Sequence, residues 1–501
     1  MSVNPVDESW GRGFSGLPVE IQHTICAQLC THCSEPKDTS TFKYRVNTIN
    51  LKALAALTKT SRTLRSIAQP MMYHRLPQHR NFKRMIQTLV DHPEFTACVK
   101  HYSQATYPGM GGWLNEEQFD FYKQLARDLH MDDPDDPEFY KADHEDLSAP
   151  KFCEEVLLAL LPQTVESLNI LVEDDGNYDG TSFPFLAIRF RHVGSPALPH
   201  LRKLRFDTEE RYGVHTDNPG AMLILRNAPN LEYLEFNSTK GPELDWEDED
   251  DNTDDMGEES GPLKASRVAR IFPILSSLRT LKFTDSAFDG TVCCRLVKYY
   301  AKTSPQLDCF HFVDHSAWLG ENEDMDGMRL ALLKALLPGQ KTLKTLALDL
   351  SHHSGPRYAH GDDAECRSIL KDFSSLETLT IDEQVVCRHC SSTRWIPTTS
   401  KIEELPTTCL IQALPDSIRT VVIKVFANSH IWADLIALGQ KVALGDFPKL
   451  RRITVKPEYR YGQDDRDLTF SELRDQAKEV MLEVQKHFAN TAVQLEIGSR
   501  R

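Results

Sequence analysis

The chain is predicted to be α/β, with a small all-α module at the front and an irregular solenoid of stacked helix–strand units behind it. Two observations predict this. Between residues 16 and 75, apolar residues recur at helical spacing in three short segments. From Val165 onward, an apolar triplet spaced three and then two residues apart returns along the chain. Its starts are mostly about 30 to 42 residues apart, within the range of repeat architectures.

The front module begins at Leu17-Pro18-Val19-Glu20-Ile21. Pro18 suits a first helical turn, where its missing N–H is not needed. Glu20 lies in that same turn, facing the positive end of the helix dipole. Ile21, Ile25 and Leu29 follow at four-residue intervals and share a face. A second short helix is expected at Leu51 to Leu57, with Leu51, Leu54 and Leu57 on its apolar side. Thr60 or Ser61 caps a third helix carrying Leu64, Ile67, Ala68 and Met71. Three helices of this size bury little by themselves, so their exposed leucines point to a partner.

This pattern resembles the F-box. The residues that carry the resemblance are Leu17, Pro18, Glu20, Ile21, Ile25 and Leu29, then Leu54 and Leu57, then Ser61, Arg62, Leu64 and Arg65. Ile67-Ala68-Gln69-Pro70 and Met72-Tyr73 are similar to the ending common in filamentous-fungal members. The likeness covers about the first 75 residues. Thr31 to Asn50 departs from it, being a polar insertion longer than the family's usual connection.

Beyond the module, Asn81 to Tyr102 reads as a helix and its exit, with Val99 to Tyr102 a candidate first strand. Asn115 to His130 and Lys151 to Leu161 read as further helices, separated by an Asp-Pro-rich loop at Met131 to Glu138. The triplets then run Val165/Leu168/Ile170, Leu201/Leu204/Phe206, Leu231/Leu234/Phe236, Leu278/Leu281/Phe283 and Leu307/Phe310/Phe312. They continue as Leu343/Leu346/Leu348, Leu376/Leu379/Ile381, Ile418/Val421/Ile423 and Leu450/Ile453/Val455, with Ala492/Leu495/Ile497 a candidate last strand. The last two apolar positions of each triplet alternate along a strand, and the first fixes the turn into it. Apolar helical segments precede them, as at Gly220 to Asn227, Val292 to Ala301, Met328 to Leu337 and Ile431 to Val442. The array resembles a leucine-rich-repeat horseshoe of the irregular kind that often follows an F-box; the rival reading is an ordinary α/β domain with Leu-rich strands. The expected organisation is a flexible start at 1–15, the F-box-like module at 16–75, a helical linker or cap at 76–150 and the repeat domain at 151–501. An acidic, disordered insertion is expected at 243–262.

Composition narrows the function classes. The chain has 501 residues and a formal net charge of -16, and ten of its carboxylates fall between Asp245 and Glu259. With little clustered Lys or Arg, nucleic acid is not an expected partner. No apolar run reaches bilayer length, and the polar, acidic start is not a signal peptide, so neither membrane nor secretion is expected. An intracellular protein, cytoplasmic or nuclear, is the default, and its 12 cysteines then read as reduced thiols.

No Gly-x-Ser-x-Gly, His-Glu-x-x-His or phosphate-loop pattern occurs, so no catalytic residue is expected. Cys30 and Cys33 have Cys-x-x-Cys spacing, with Cys26 and His32 close by. Cys387 and Cys390 repeat the spacing around His389. Four thiolates hold zinc in many proteins, but these pairs are far apart in sequence. Ordinary thiols are the expectation, with no metal and no cofactor. His352, His353, His360, Asp362 and Asp363 form a polar cluster read as loop. Trp318, Trp395 and Trp432 are candidate anchors for a bound protein or packing residues.

The F-box resemblance implies a non-catalytic substrate receptor of a Skp–cullin–F-box ubiquitin ligase. Leu17, Pro18, Glu20, Ile21, Ile25, Leu29, Leu54, Leu57, Ser61 and Leu64 would contact a Skp-type adaptor and, through it, a cullin. The repeats would hold an unknown target protein. The rival is a repeat scaffold with no ligase, and adaptor binding separates the two.

Overall fold

Each apolar triplet in the sequence becomes a turn followed by a strand. The computed structural model describes residues 13–34, 48–76, 82–103, 116–131, 149–161, 164–171, 184–194, 196–207, 219–238, 268, 271–284, 290–313, 325–350, 363–386, 408–426, 431–458 and 470–498. Several expectations lie outside them: the start up to residue 12, most of the polar insertion, residues 132–138 and the acidic insertion. So do Cys387, His389, Cys390, Trp318, Trp395, His352, His353, His360 and Asp362.

Eleven strands form one sheet in chain order. They are β1 (His101–Ser103), β2 (Ser167–Leu171), β3 (Lys203–Asp207), β4 (Tyr233–Asn237), β5 (Thr280–Thr284), β6 (Cys309–Val313), β7 (Thr345–Asp349), β8 (Thr378–Asp382), β9 (Thr420–Phe426), β10 (Arg452–Glu458) and β11 (Gln494–Ile497). The described pairings are parallel.

This corrects the expected architecture. The triplets belong to a single eleven-stranded parallel sheet of an α/β fold, and the leucine-rich-repeat solenoid is not found. The physical reason is that the triplet reports only an apolar turn followed by a strand buried on one face. Leucine-rich repeats are short, about 20–29 residues. Here the connections are longer and carry helices such as Gly290–Thr303, Met325–Leu336 and Ile431–Ala443. Helical crossovers of this kind are what parallel neighbours in an α/β sheet require. Among the described strands the order never reverses, unlike that of doubly wound sheets.

The chain packs as two units, residues 1–209 with 219–233 and residues 210–218 with 234–501. The first opens with a short 3-10 turn at Gly13–Gly16 and then several helices. These are α1 (Val19–Leu29), α2 (Thr31–Ser34), α3 (Thr48–Leu57) and α4 (Arg62–Tyr73). Ser61 caps α4 as the sequence suggests, its Oγ accepting from the Leu64 amide at 3.1 Å. Cys26, Cys30, Leu54, Leu64, Ala68 and Met71 form the core of these helices.

A backbone ladder then builds the sheet edge. The His74 carbonyl accepts from the amides of Lys100 at 2.9 Å and His101 at 2.8 Å. The Lys100 carbonyl does the same for Glu166 and Ser167, and that of Glu166 for Arg202 and Lys203. His74 is therefore the first rung of the ladder.

In the second unit the same pattern recurs. Leu278, Leu307, Leu376, Ile418 and Leu450 each close a turn by donating to the carbonyl three residues earlier. Beyond the turns the apolar residues stay in register. Leu281 faces Phe310, which faces Leu346, and the row runs on through Leu379, Val421 and Ile453 to Leu495. All but Leu495 are buried. Successive crossover helices pack against one another. Gly439 permits the approach of Ile431–Ala443 to Phe470–Phe488, since a Cβ there would lie 2.8 Å from His487 Cβ. Trp432 is fully buried between such helices, so it packs the core and is not a surface anchor.

Asp434 sits beside it, also fully buried. Neither carboxylate oxygen closes a full hydrogen bond, although the amides of Cys409 and Leu410 lie near enough to act on it. Burial pushes its pKa up from 3.8 to about 6, with the amides of Cys409 and Leu410 and the Arg367 guanidinium drawing it partly back. The folded state therefore holds the proton more tightly than the unfolded chain. The resulting stability is complete below the unfolded pKa and is lost as pH rises through about 6. Asp434→Asn is expected to match the wild type near pH 4 and to exceed it by roughly 2–3 kcal/mol at neutral pH. Urea midpoints of both proteins across that range test this, and a difference that does not grow with pH rejects it.

Candidate functional site in the front helices

The expected adaptor-contacting residues divide by burial. Leu17, Val19 and Ile21 are 38%, 51% and 46% exposed, an uncommon concentration of apolar surface at one helix start. Pro18 and Glu20 are exposed beside them. Pro18 occupies the N-cap of α1, its carbonyl accepting from the amides of Ile21 and Gln22, both at 3.0 Å. The Gln22 side chain donates to the Leu17 carbonyl at 2.8 Å and holds the Leu-Pro step against the helix. Ile25, Leu29, Leu57 and Ser61 are half-buried. Leu54 and Leu64, 2% and 1% exposed, lie inside the helical core. There they support the module, while the residues around Leu17 offer the accessible surface.

A second feature lies at the far end of α1. Cys30 ends that helix, and the single turn of α2 carries His32 and Cys33. His74 follows α4 directly. The Sγ atoms of the two cysteines and one ring nitrogen of each histidine lie within 4.8 Å of one another. His74 Nδ1 is 3.5 Å from Cys30 Sγ, 3.4 Å from Cys33 Sγ and 3.3 Å from His32 Nδ1. His32 Nδ1 is 3.6 Å from Cys33 Sγ. The Met71 carbonyl oxygen is 3.5 Å from Cys30 Sγ. Cys30 is buried, His32 and His74 are half-buried, and Cys33 is exposed.

The electrostatics favour one thiolate. A hydrogen bond from Cys33 pulls the Cys30 pKa far down against the cost of burial, with His32 and His74 adding to the effect. Cys33 is pushed up by the same bond. The His32 ring also rests 4.7 Å from that of His101 in β1. Burial, followed by His32, Arg75 and Lys203, takes His101 down to about 3, so it is neutral.

Spacing alone leaves Cys30 and Cys33 as ordinary thiols, because no second cysteine pair lies near them in sequence. The structure brings up histidines instead. His32 stood inside the motif, but His74 lies beyond two further helices, where no spacing rule points to it.

No protein-family model matches the chain, and no curated protein sequence matches it. Among the described residues, no helix is long and apolar enough to cross a membrane.

Proposed function

We propose that the chain is a non-catalytic substrate receptor of a Skp–cullin–F-box ubiquitin ligase. It acts inside the cell, in cytoplasm or nucleus. The observation that carries this reading is the apolar surface at Leu17, Val19 and Ile21, standing on a helical module with an F-box-like Leu-Pro-x-Glu-Ile start. The half-buried face of Ile25, Leu29 and Leu57 extends that start. A Skp-type adaptor covers these residues, and the cullin joins through it. The rest of the chain holds a target protein. Its contribution is proximity, which raises the effective concentration of target lysines near the conjugating enzyme.

The test is a pull-down of the purified full chain with a Skp-type adaptor, run beside a Leu17→Ala/Pro18→Ala double variant whose fold is verified by circular dichroism. Losing one central apolar contact is expected to weaken binding by about 1–3 kcal/mol. Equal capture of both proteins, or no capture of a folded wild type, rejects the proposal.

A further inference from the structure

We propose that Cys30, His32, Cys33 and His74 form a tetrahedral site for one zinc ion, which fastens the front helices to the first rung of the sheet. The inference does not depend on the ligase reading.

Geometry carries it. A tetrahedral ion with bonds of about 2.3 Å to sulfur and about 2.0–2.1 Å to nitrogen has ligand–ligand edges of roughly 3.3 Å between nitrogens and roughly 3.5 Å between sulfur and nitrogen. The nitrogen–nitrogen separation here is 3.3 Å, and the sulfur–nitrogen separations are 3.4, 3.5 and 3.6 Å. Four of the six edges of such a tetrahedron are therefore already in place, and all four donor atoms lie within 4.8 Å of one another.

Hydrogen bonding alone accounts poorly for the same arrangement. A neutral imidazole nitrogen either donates one proton or accepts through one in-plane lone pair. His74 Nδ1 has three polar neighbours within 3.5 Å. One of them is a second Nδ1, and two such atoms can share only one bond. A cation at the centre satisfies all of these contacts at once.

The donor set selects the metal. Two thiolates and two imidazoles with no carboxylate among them disfavour magnesium and calcium, which take oxygen ligands. Tetrahedral sulfur and nitrogen donors are the preferred environment of zinc, and four protein ligands close the site to water, as in structural sites. Both cysteines bind as thiolates, so their charges balance that of the ion and the centre is neutral. Exposed Cys33 gives the ion its way in.

The site joins two parts of the first unit. Cys30, His32 and Cys33 belong to the α1–α2 turn, while the His74 backbone starts the ladder that holds β1. An ion held by both fixes the direction in which the front helices leave the sheet.

The experiment uses the full chain, loaded with zinc, desalted and assayed for metal by mass spectrometry, with a parallel cobalt titration. Three variants accompany it: Cys33→Ser at the exposed ligand, His74→Asn, and a Cys387→Ser/Cys390→Ser control. The expected result is one zinc per chain in the wild type and the control, with stoichiometric zinc lost in the other two. Cobalt should give the visible bands of a tetrahedral thiolate site, and a chelator should lower the melting temperature of the wild type but not of Cys33→Ser. A wild type that takes up neither metal overturns the proposal. So does zinc retained by both ligand variants, or lost only from the Cys387/Cys390 control.

Discussion

Lys424→Met is expected to destabilise the protein by about 3–5 kcal/mol, as removal of one partner from a buried ion pair does. Lys424 lies in β9 and pairs with Asp349 at the end of β7, their side chains only 13% and 2% exposed. Between them in the sheet, Asp382 ends β8 directly opposite Lys424 in register. Its carboxylate accepts from the Leu350 amide at 2.9 Å and lies 3.6 Å from the Arg329 guanidinium. Two acids and two bases thus balance across three strands and one helix. Removing the ammonium takes away a cation that faces the buried Asp349 carboxylate. Replacing both members, as Asp349→Asn with Lys424→Met, is expected to cost much less than the two single changes added together. Urea midpoints for the four proteins of this cycle measure the coupling. Strict additivity would show that the pair contributes nothing as a pair. Because the charges are buried, added salt should change the coupling little.

The strands of this sheet were legible because burial on one face leaves a short periodic trace. Leu281 and Phe283, or Val421 and Ile423, alternate as a half-buried strand must, and the leucine or isoleucine three residues before each pair closes the turn. What that trace lacks is any record of how the strands connect and close. A triplet reads the same whether a short loop or a full helix returns the chain to the next strand. The helices that precede the strands are legible too, yet a horseshoe of repeats and one α/β sheet share the same alternation of helix and strand, and only the strand order and pairing separate them. Trp432 shows the same limit, since an indole that fills a core and one that anchors a partner have identical local sequence.

The candidate site was legible in halves. Leu17, Pro18 and Ile21 announce themselves through helix-start chemistry and apolar spacing. Leu54 and Leu64 follow the same spacing, yet they point inward, because period alone does not say which side of a three-helix module is covered. For the cysteine–histidine cluster, Cys30, His32 and Cys33 are visible within four residues. His74 is placed by tertiary packing, with α4 folding back so that its end meets the end of α1. Ligand sets completed by such a return leave no fixed interval to search for.

Phe283→Ala is expected to cost about 3–5 kcal/mol, the range for deleting a buried phenylalanine ring. The side chain is 1% exposed in β5. It stacks on Phe236 at 5.4 Å with an interplanar angle of 8°, and it meets Phe310 and Phe312 at 6.2 and 6.1 Å. Those rings belong to neighbouring strands, and a cavity at their centre cannot close without moving a ladder held by backbone hydrogen bonds. Phe283→Leu keeps most of the volume and should cost under about 1.5 kcal/mol. Leu482→Ala, on a side chain 58% exposed, should stay within about 0.5 kcal/mol. The ordering of these three midpoints in urea separates two roles for the triplet face. A face kept for packing follows the order given. A face kept for holding a partner would lose binding while the three stabilities stayed close together, and that outcome would move the core of this sheet to its other side.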